Sequence, residues 1–370
     1  MAPHIFFIFH GRFPSEKAAA LFATESAFAF AQCGTQVTLV APRRIGRMST
    51  TPRPFTTVYL PTLDVFWIPI VKGAAFYISL FVFSVSSFFY LLFTAHRNDS
   101  IYSNESLPLL LASFCFSQTC FELHDYPERS RWYWNILFRR VKHILVTNEI
   151  KMKRLAQEFP DAARKAFVEQ NAVGLEEFSL SLSKQEARKE LILPQSVYIA
   201  LYTGHLYGWK GVDTLAKAAQ QQPKLEVYFV GGTQEDSTRF RAKWEKVKNI
   251  HVVGHRPHAE IPLWQKAADV LVLPNTARDP VSRESTSPMK LFEYMASERP
   301  VVASNLPSIA EILSHERGIL VEADNPKALA QGIQKALTDA ESPARAKRAR
   351  AWVEDHTWEK RAKRILEHIN

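Results

Sequence analysis

The chain has 370 residues, of which 46% are hydrophobic and 22% charged, and it carries a formal net charge of +9. The length predicts about two domains, and the composition is that of an ordinary soluble globular protein. The excess of basic residues favours acidic partners, either phosphorylated substrates or an anionic membrane surface.

The sequence lacks the signatures of several other classes. No zinc-finger spacing, RNP motif or basic-region heptad is present, so a nucleic-acid partner is not expected. Cys33, Cys115 and Cys120 form neither a CxxC pair nor a disulfide framework, which indicates a reducing cytoplasm. No set of His, Cys, Asp and Glu has metal-ligand spacing, so we expect neither a bound metal nor a cofactor. The first ten residues lack a basic n-region and predict a strand rather than a signal peptide.

The first half alternates strands and helices. Its pattern predicts a strand over 5–9, a helix over 16–33 that ends at Gly34, and a second strand over 35–41. Further strands are predicted to end near Leu123 and to run over 141–147. Strand–helix–strand units with short loops pair in parallel, which predicts an α/β, Rossmann-like layer.

Residues 74–95 carry no charge and are long enough to cross a bilayer. Strand-like runs lie on both sides of this segment, and a membrane crossing would separate strands that belong to one sheet. We therefore expect a non-spanning helix, either buried in the core or with an apolar face on a bilayer. A true span remains the third alternative.

Two loops of the first half carry polar residues that follow predicted strands. Gly11, Arg12 and Lys17 follow the first strand, and His124 and Asp125 end a later one. A histidine in such a loop can hydrogen-bond a phosphate or a sugar hydroxyl. The alternatives are an ordinary helix cap in the first loop and a structural histidine in the second.

The second half restarts the alternation after residues 171–174. Strands are predicted over 198–202, 225–230, 251–253 and 269–273, and helices over 212–221 and 261–268. Two Rossmann-like domains in tandem predict a cleft between the carboxyl ends of both sheets, where ligands bind.

A glycine-rich loop follows the first strand of this half. Gly204, Gly208 and Gly211 permit close backbone approach to a phosphate, and Lys210 supplies a positive charge. The loop is not a P-loop, because it lacks the G-x-x-x-x-G-K-[ST] pattern. The alternative is a solvated lysine in a turn.

Residues 285–304 predict a tight loop, a helix and a buried strand. Ser287 is the predicted N-cap and Pro288 the first helical residue. Backbone N–H groups around Ser287 and its neighbour Thr286 would then favour an anion. Lys290 and Glu293 follow about one turn later, so a phosphate-binding end would lie beside a carboxylate suited to a ribose hydroxyl. The alternative is an ordinary well-capped helix.

These segments together resemble the family 4 retaining glycosyltransferases of the GT-B fold. The most specific part is residues 286–296, Thr-Ser-Pro-Met-Lys-Leu-Phe-Glu-Tyr-Met-Ala. Residues 14–18, 171–173, 204–211 and 268–274 are also similar to family segments, and residues 357–362 resemble the terminal helix that packs back onto the first domain.

The resemblance implies metal-free transfer of a sugar from a nucleotide-diphosphate donor, with retention of anomeric configuration. It implies catalytic roles for His124, Lys210 and Glu293, with Glu293 on the donor ribose and Lys210 on the diphosphate. It places Gly11, Arg12, Lys17, His124 and Asp125 on the acceptor side. The donor-binding residues that it implies are Gly204, His205, Lys210, Gly232, Arg256, Ser285, Thr286, Ser287, Lys290 and Glu293.

Three positions depart from the family pattern. Ser285 stands at the first glutamate of the E-x7-E motif, His205 replaces the usual loop arginine, and Gly174 replaces the usual aspartate after residues 171–173. Donor-sugar contacts are therefore in question, and the diphosphate charge depends more on Lys210, with Lys290 as a helper.

The resulting hypothesis is a cytoplasmic glycosyltransferase, peripheral at the inner face of a membrane, that acts on a glycan or lipid-linked acceptor. The alternatives are a nucleotide-sugar epimerase of the same fold and a silent glycan-binding or scaffold protein. Residues 1–175 with 352–370 are predicted to form the acceptor domain, and residues 176–351 the donor domain.

Overall fold

A computed structural model describes residues 4–43, 53–63, 74–285 and 287–369. The chain divides into two compact units, residues 1–170 with 358–370 and residues 171–357. The boundaries suggested by the sequence, near residues 175 and 352, stay predictions for the limits of autonomous domains.

The first unit is built on a parallel sheet of seven strands. The strands are β1 (His4–Ile8), β2 (Gln36–Pro42), β3 (Thr56–Leu60), β4 (Ser100–Ser103), β5 (Thr119–Leu123), β6 (His143–Val146) and β7 (Ala166–Val168). Their order is β3-β2-β1-β4-β5-β6-β7. The helices are α1 (Ala18–Gln32), α2 (Ala75–Thr94), α3 (Ser106–Ala112), α4 (Arg131–Arg140), α5 (Glu149–Glu158) and α6 (Pro160–Ala163).

Strand β1 lies in the middle of the sheet, with a partner strand on each side and apolar residues on both faces. In β1, Phe6 pairs with Thr38 of β2 on one side and with Ile101 of β4 on the other. Residues 5–9 are all buried, as expected for a strand covered by helices on both faces. The predicted parallel α/β layer is therefore confirmed.

The second unit repeats the plan with six parallel strands. The strands are β8 (Tyr198–Thr203), β9 (Leu225–Val230), β10 (Ile250–Gly254), β11 (Val270–Leu273), β12 (Val301–Ser304) and β13 (Ile319–Val321), in the order β10-β9-β8-β11-β12-β13. The helices are α7 (Lys184–Glu190), α8 (Val212–Gln220), α9 (Gln234–Trp244), α10 (Ile261–Ala267), α11 (Met289–Ala296), α12 (Pro307–Ala310), α13 (Pro326–Thr338) and α14 (Ser342–Val353). All strands are parallel, and the order in which the chain adds them switches from one side of β8 to the other at β11; ligands bind at such a switch point in open α/β sheets.

A buried ion pair ties the start of this unit to its sheet. Arg188 of α7 donates to Asp269 at 2.5 Å and to the carbonyl of Ala267 at 2.9 Å. The same carboxylate accepts from the backbone N–H of Ile199, at 2.7 Å. Because every buried charge has several partners, the desolvation cost of the pair is offset.

The last helix, α15 (Trp358–Ile369), packs on α1 of the first unit, as the resemblance predicts. Arg361 of this helix donates to the fully buried Glu122 of β5 at 2.6 Å and to the carbonyl of Gln170 at 2.8 Å. Tyr102 also donates to Glu122. Burial would raise the pKa of Glu122, but Arg361 and then His124 outweigh it and lower the pKa to about 2.

The uncharged segment at 74–95 forms α2, which joins β3 to β4 of one sheet. By length and composition α2 is the one helix, within the described residues, that could span a membrane, which alone is weak support for a span. Only 28% of its most apolar window is buried, so α2 is not an ordinary core helix.

The ion pair between Arg361 and Glu122 should be a major determinant of stability. We expect Arg361→Ala to lower the free energy of unfolding by about 3–5 kcal/mol, because it leaves a buried carboxylate without its cation. Lys363→Ala is the matched control, since Lys363 bonds Glu359 on the exposed side of the same helix and should matter little. Urea unfolding measures both, and equal effects would contradict this account.

The lowered pKa of Glu122 predicts how the stability of the fold changes at acid pH. The folded pKa of Glu122, about 2, lies below the value of about 4.3 for an unfolded glutamate. Its stabilising contribution is therefore full above that unfolded value and is lost as the pH falls toward 2. In unfolding curves between pH 6 and 2, Glu122→Gln should show a smaller pH dependence than the wild type.

Candidate functional site

The glycine-rich loop leaves the carboxyl end of β8 and returns into α8. Gly204 follows β8 with φ +119°, and Gly211 opens α8 with φ +70°. A Cβ on Gly211 would lie 1.7 Å from the carbonyl oxygen of Pro274. Positive φ and this close approach both require glycine, so the loop is held tightly against the end of β11.

Lys290 reaches this loop from α11. Its Nζ donates to the carbonyl of Thr203 at 2.7 Å and to the hydroxyl of Tyr202 at 3.1 Å. A Cβ on Gly204 would lie 2.5 Å from that Nζ, so the glycine makes room for the ammonium group. Burial and the charge of Lys210 hold the pKa of Lys290 well below its ordinary value, and Glu293 opposes them.

Lys210 lies in a single 3₁₀ turn, Gly208–Lys210. Its Nζ is 3.5 Å from the centre of the Trp209 ring. Burial lowers the pKa of Lys210 to about 8. Across the described part of the chain, no carboxylate lies within ion-pair distance of either Lys210 or Lys290. Two poorly hydrated lysines, one in the loop and one on α11, therefore lie close enough for the charge of one to act on the other.

Helix α11 is fixed to the loop by Tyr294. The backbone N–H of Thr203 donates to the Tyr294 hydroxyl at 2.8 Å, and the Thr203 hydroxyl lies 3.1 Å away. Lys290 and Glu293 are three residues apart on α11 and so lie on one face. The tyrosine thus sets the position of both side chains at the end of β8.

Glu293 lies beside a histidine that the sequence analysis missed. Nε2 of His258 is 3.5 Å from Glu293, and its Nδ1 is 3.8 Å from Glu177. Burial and Glu293 raise the pKa of Glu177, while His258 opposes them. His258 lies in a turn at the carboxyl end of β10, and its place after a predicted strand was the signal that could have found it.

Of the three other predicted donor residues, His205 is linked to this cluster, because its carbonyl accepts from the Tyr202 hydroxyl at 2.7 Å and that hydroxyl accepts from Lys290. Gly232 follows β9 with φ +86° and leaves room for Leu206. His205 stacks on Tyr207, with ring centres 4.8 Å apart. Arg256 is exposed and lies 3.8 Å from Glu260, four residues later.

The predicted helix start at Ser287 and Pro288 is wrong. Pro288 is the N-cap, α11 begins at Met289, and no side chain caps it. The atoms of Ser287 are used elsewhere: its Oγ accepts from the backbone N–H of Asn171 at 3.4 Å, and its carbonyl accepts from the Asn171 amide. Thr286 lies outside the described residues, as does the side chain of Ser285.

The predicted acceptor-side residues lie in two loops of the first unit. Nε2 of His124 is 2.9 Å from Glu122, and its ring packs edge-on against Phe22 at 4.7 Å. The side chain of His124 is one-third exposed (32%), so its remaining edge is open to solvent. Asp125, beside it, is exposed.

Gly11, Arg12 and Lys17 follow β1, two strands away from β5 in the sheet order. A Cβ on Gly11 would lie 2.2 Å from the Phe9 ring. Arg12 and Lys17 are exposed, and Lys17 is the N-cap of α1 without a side-chain bond. Both loops leave the carboxyl edge of one sheet, but within the described residues no hydrogen bond or ion pair joins the side chains of Arg12 and Lys17 to those of His124 and Asp125.

Over residues 4–43, 53–63, 74–285 and 287–369, no group of three or more His, Cys, Asp or Glu side chains could hold a metal ion. Metal independence of any reaction stays a prediction.

The second unit is similar to a known protein family over most of its length. Residues 183–352 match the family described as glycosyl transferases group 1. The chain is 28% identical over 203 residues to D-inositol 3-phosphate glycosyltransferase 1 of Catenulispora acidiphila, covering 50% of this chain and 46% of the relative. It is 27% identical over 154 residues to the putative teichuronic acid biosynthesis glycosyltransferase TuaC of Bacillus subtilis, covering 41% and 36%. The chain thus spans less than half the length of these relatives.

Solved structures match over nearly the whole chain. Sucrose-phosphate synthase from Thermosynechococcus elongatus has a TM-score of 0.82 at 20% identity, covering 99% of this chain and 98% of that one. Anabaena HepE in complex with UDP and glucose has a TM-score of 0.72 at 19% identity, covering 98% of each chain. WaaG, a glycosyltransferase involved in lipopolysaccharide biosynthesis, has a TM-score of 0.74 at 16% identity, covering 99% of each chain. At these identities the likeness concerns the fold. The predicted GT-B fold is confirmed, and residues 183–352 of the second unit are similar to the glycosyl transferases group 1 family.

Proposed function

We propose that this protein is a retaining glycosyltransferase that moves a sugar from a nucleotide-diphosphate sugar to a glycan or lipid-linked acceptor. The observation that carries the proposal is the pair of poorly hydrated lysines, Lys210 and Lys290, beside Glu293. Burial disfavours both ammonium charges, and the charge of Lys210 further disfavours that of Lys290. A bound diphosphate relieves both penalties, because it brings negative charge to a site that already holds the cations.

Different residues of the second unit are proposed to bind different parts of the donor. Lys210 and Lys290 take the diphosphate, and Gly204 lets the phosphate approach the backbone at the end of β8. Glu293 accepts hydrogen bonds from the ribose hydroxyls, and His258 holds its carboxylate in place. A nucleotide donor is supported by Anabaena HepE, a structural relative that was solved in complex with UDP-glucose.

The proposed reaction is a front-face substitution. The bond between the anomeric carbon and the diphosphate oxygen breaks, and the acceptor hydroxyl forms its bond on the same face. The acceptor proton passes to the departing diphosphate oxygen. Charge that develops on that leaving group is stabilised by Lys210 and Lys290 without a metal ion. The resemblance assigns His124, and the loop that follows β1, to the acceptor.

The setting proposed for this chemistry is the cytoplasm, with peripheral attachment to the inner face of a membrane. The net charge of +9 and the apolar α2 support that setting. Release of nucleoside diphosphate that depends on an added acceptor, unchanged by a chelator, tests the reaction. An epimerase would instead convert the donor without releasing diphosphate.

Glu293 offers the most direct test of the donor assignment. We expect Glu293→Gln to weaken UDP or GDP binding about tenfold, since a charge-assisted hydrogen bond contributes about 1.5–3 kcal/mol. Glu235→Gln, on the exposed side of α9, is the control and should bind as the wild type does. Calorimetry measures both, and unchanged affinity in a folded Glu293→Gln protein refutes the role.

Gly204 should be needed for the geometry of Lys290. An alanine there adds a Cβ 2.5 Å from Nζ at a φ of +119°, so we expect about 1–3 kcal/mol of destabilisation and weaker diphosphate binding. Gly34→Ala is the control, because Gly34 lies outside the loop and also has a positive φ (+81°), but its Cβ would meet no atom within 4 Å. Thermal unfolding with and without UDP separates the two effects, and equal behaviour of both variants would argue against the proposed packing.

Lys210 predicts a pH dependence of binding. Its pKa of about 8 in the free protein means that the ammonium form is lost as the pH rises through 8. Diphosphate binds the charged form, so the affinity should fall up to about tenfold per pH unit above that value. Lys210→Arg should flatten the fall, since arginine stays charged. Lys217→Ala on the exposed face of α8 should keep the wild-type profile, and a wild-type affinity that is constant from pH 7 to 9.5 would exclude this role.

A further inference from the structure

Helix α2 buries mostly small and polar side chains and exposes large apolar ones. Its buried stripe repeats every four residues and is largely polar or small: Ala75, Ser79, Phe83, Ser87 and Leu91. Its exposed side chains are large and apolar: Phe76, Tyr77, Phe81, Phe89, Leu92 and Phe93. A helix on a water-soluble surface shows the opposite arrangement. We call this exposed set the aromatic face of α2; its outermost member, Phe93, is 85% exposed.

The orientation of α2 is fixed by specific contacts of the buried stripe. The Ser79 hydroxyl lies 3.0 Å from Nε2 of His10 and 2.9 Å from the hydroxyl of Thr62. Phe83 and Leu91 belong to the hydrophobic core of the first unit. Turning the helix to bury its aromatic face would break these contacts, so the aromatic face belongs outside.

A second helix on this side of the sheet carries cations next to apolar groups. Helix α3 packs against both α2 and α4. The exposed side chains of α4 include Trp132, Ile136, Arg139 and Arg140. The Arg140 guanidinium lies 3.8 Å from the centre of the Phe114 ring, which is itself exposed. Neither α2 nor α4 contains an acidic residue.

The charge of the whole unit has the same sign. Residues 1–170 and 358–370 hold 22 Lys and Arg against 14 Asp and Glu, so this unit has +8 of the +9 net charge. Not every cation is available: Lys151 is buried against the carbonyl of Leu123, and Arg154 pairs with Glu128 and Glu158. The cations of this side that are free to face a membrane are therefore the exposed arginines of α4.

We propose that the aromatic face of α2, together with the exposed side of α4, lies on the surface of an anionic bilayer. Aromatic rings occupy the interfacial region, and arginines reach the lipid phosphates from the same surface. The positive charge selects an anionic membrane over a second copy of this chain, which would repel it. Helix α2 does not span the bilayer, since Phe83 and Leu91 pack in the core and both neighbouring strands belong to one sheet.

This surface adjoins the loop that the proposed function assigns to the acceptor. His10, whose ring centre lies 5.4 Å from that of Phe76 on the aromatic face, directly precedes Gly11 and Arg12. Resting on the proposed function, this adjacency favours a lipid-linked acceptor over a free glycan. The attachment itself needs neither donor nor acceptor, so its failure and the failure of sugar transfer are distinguishable.

The test is sedimentation of the full chain with vesicles. Wild-type protein should sediment with phosphatidylglycerol/phosphatidylcholine vesicles at low salt, and much less with pure phosphatidylcholine or at high salt. The triple variant Phe81→Ser, Phe89→Ser, Phe93→Ser should partition at least tenfold less at an unchanged melting temperature. Arg139→Ala with Arg140→Ala should also reduce binding and make what remains less sensitive to salt.

Matched control variants distinguish a loss of vesicle binding at the surface from a loss of stability in the core. Ile192→Ser removes an equally exposed apolar group from the second unit and should leave binding unchanged. Phe83→Ser should lower the melting temperature, because Phe83 is fully buried. Phe93→Ser alone serves as the second variant if the triple variant does not fold, and should weaken binding with the fold intact.

Four outcomes would overturn the proposal. They are wild-type protein that stays in the supernatant with anionic vesicles, variants of the aromatic face that bind as the wild type does, a self-association that these variants abolish, and extraction from cell membranes by detergent but not by salt or alkaline carbonate. The last outcome would establish a true span.

Discussion

The candidate site of the second unit is governed by one constraint: two lysine side chains lie at the end of β8 with little hydration, which costs free energy whenever they are charged. Lys290 offsets part of that cost with the Thr203 carbonyl, at 2.7 Å, and Lys210 with the Trp209 ring. Neither partner is an anion, so the penalty is only partly removed. A loop this close to two ammonium groups forms because Gly204 has no Cβ and Tyr294 fixes α11 to β8. The anion that would complete the site is therefore favoured by the unliganded fold itself.

Local sequence signals predicted the elements that carry this site, and long-range contacts decided the rest. The alternation around 198–230 and the glycines of the loop are short-range patterns, and they placed β8, β9 and α8 within a residue or two. The bond from Lys290 to Thr203 joins residues 87 apart, which no periodicity encodes. The predicted cap at Ser287 failed for the same reason, because Asn171, 116 residues earlier, uses its atoms. His258 escaped notice since its partner, Glu293, lies 35 residues later.

In the first unit, too, a long-range contact could not be predicted from the sequence, and here it involves a buried charged residue. Glu122 interrupts an otherwise uncharged strand, and a carboxylate in such a position indicates a buried partner. The sequence does not say that the partner is Arg361 on the last helix. One carboxylate thus has two roles: it anchors α15 through Arg361, and it holds Nε2 of His124 at 2.9 Å. The orientation of His124 and the docking of the terminal helix are coupled through Glu122, so truncation of the chain before α15 would also disturb the loop after β5.

Composition alone did not decide whether α2 is a core helix, a helix on a membrane surface or a membrane span. The pattern of buried residues along α2 argues against the core helix. A core helix would bury its phenylalanines, yet Phe81 and Phe89 are exposed and the stripe beneath them contains Ser79 and Ser87. Ser79 makes hydrogen bonds to His10 and Thr62, but the serines of the buried stripe add little apolar burial, so α2 gains less from folding in water than its composition suggests. The aromatic face is exposed in the folded and the unfolded chain alike, and it stabilises neither. Contact with a bilayer would add apolar burial only to the folded state, because the unfolded chain does not present these rings on one face. A membrane would thus stabilise the arrangement in which His10, bonded to Ser79, holds the loop after β1.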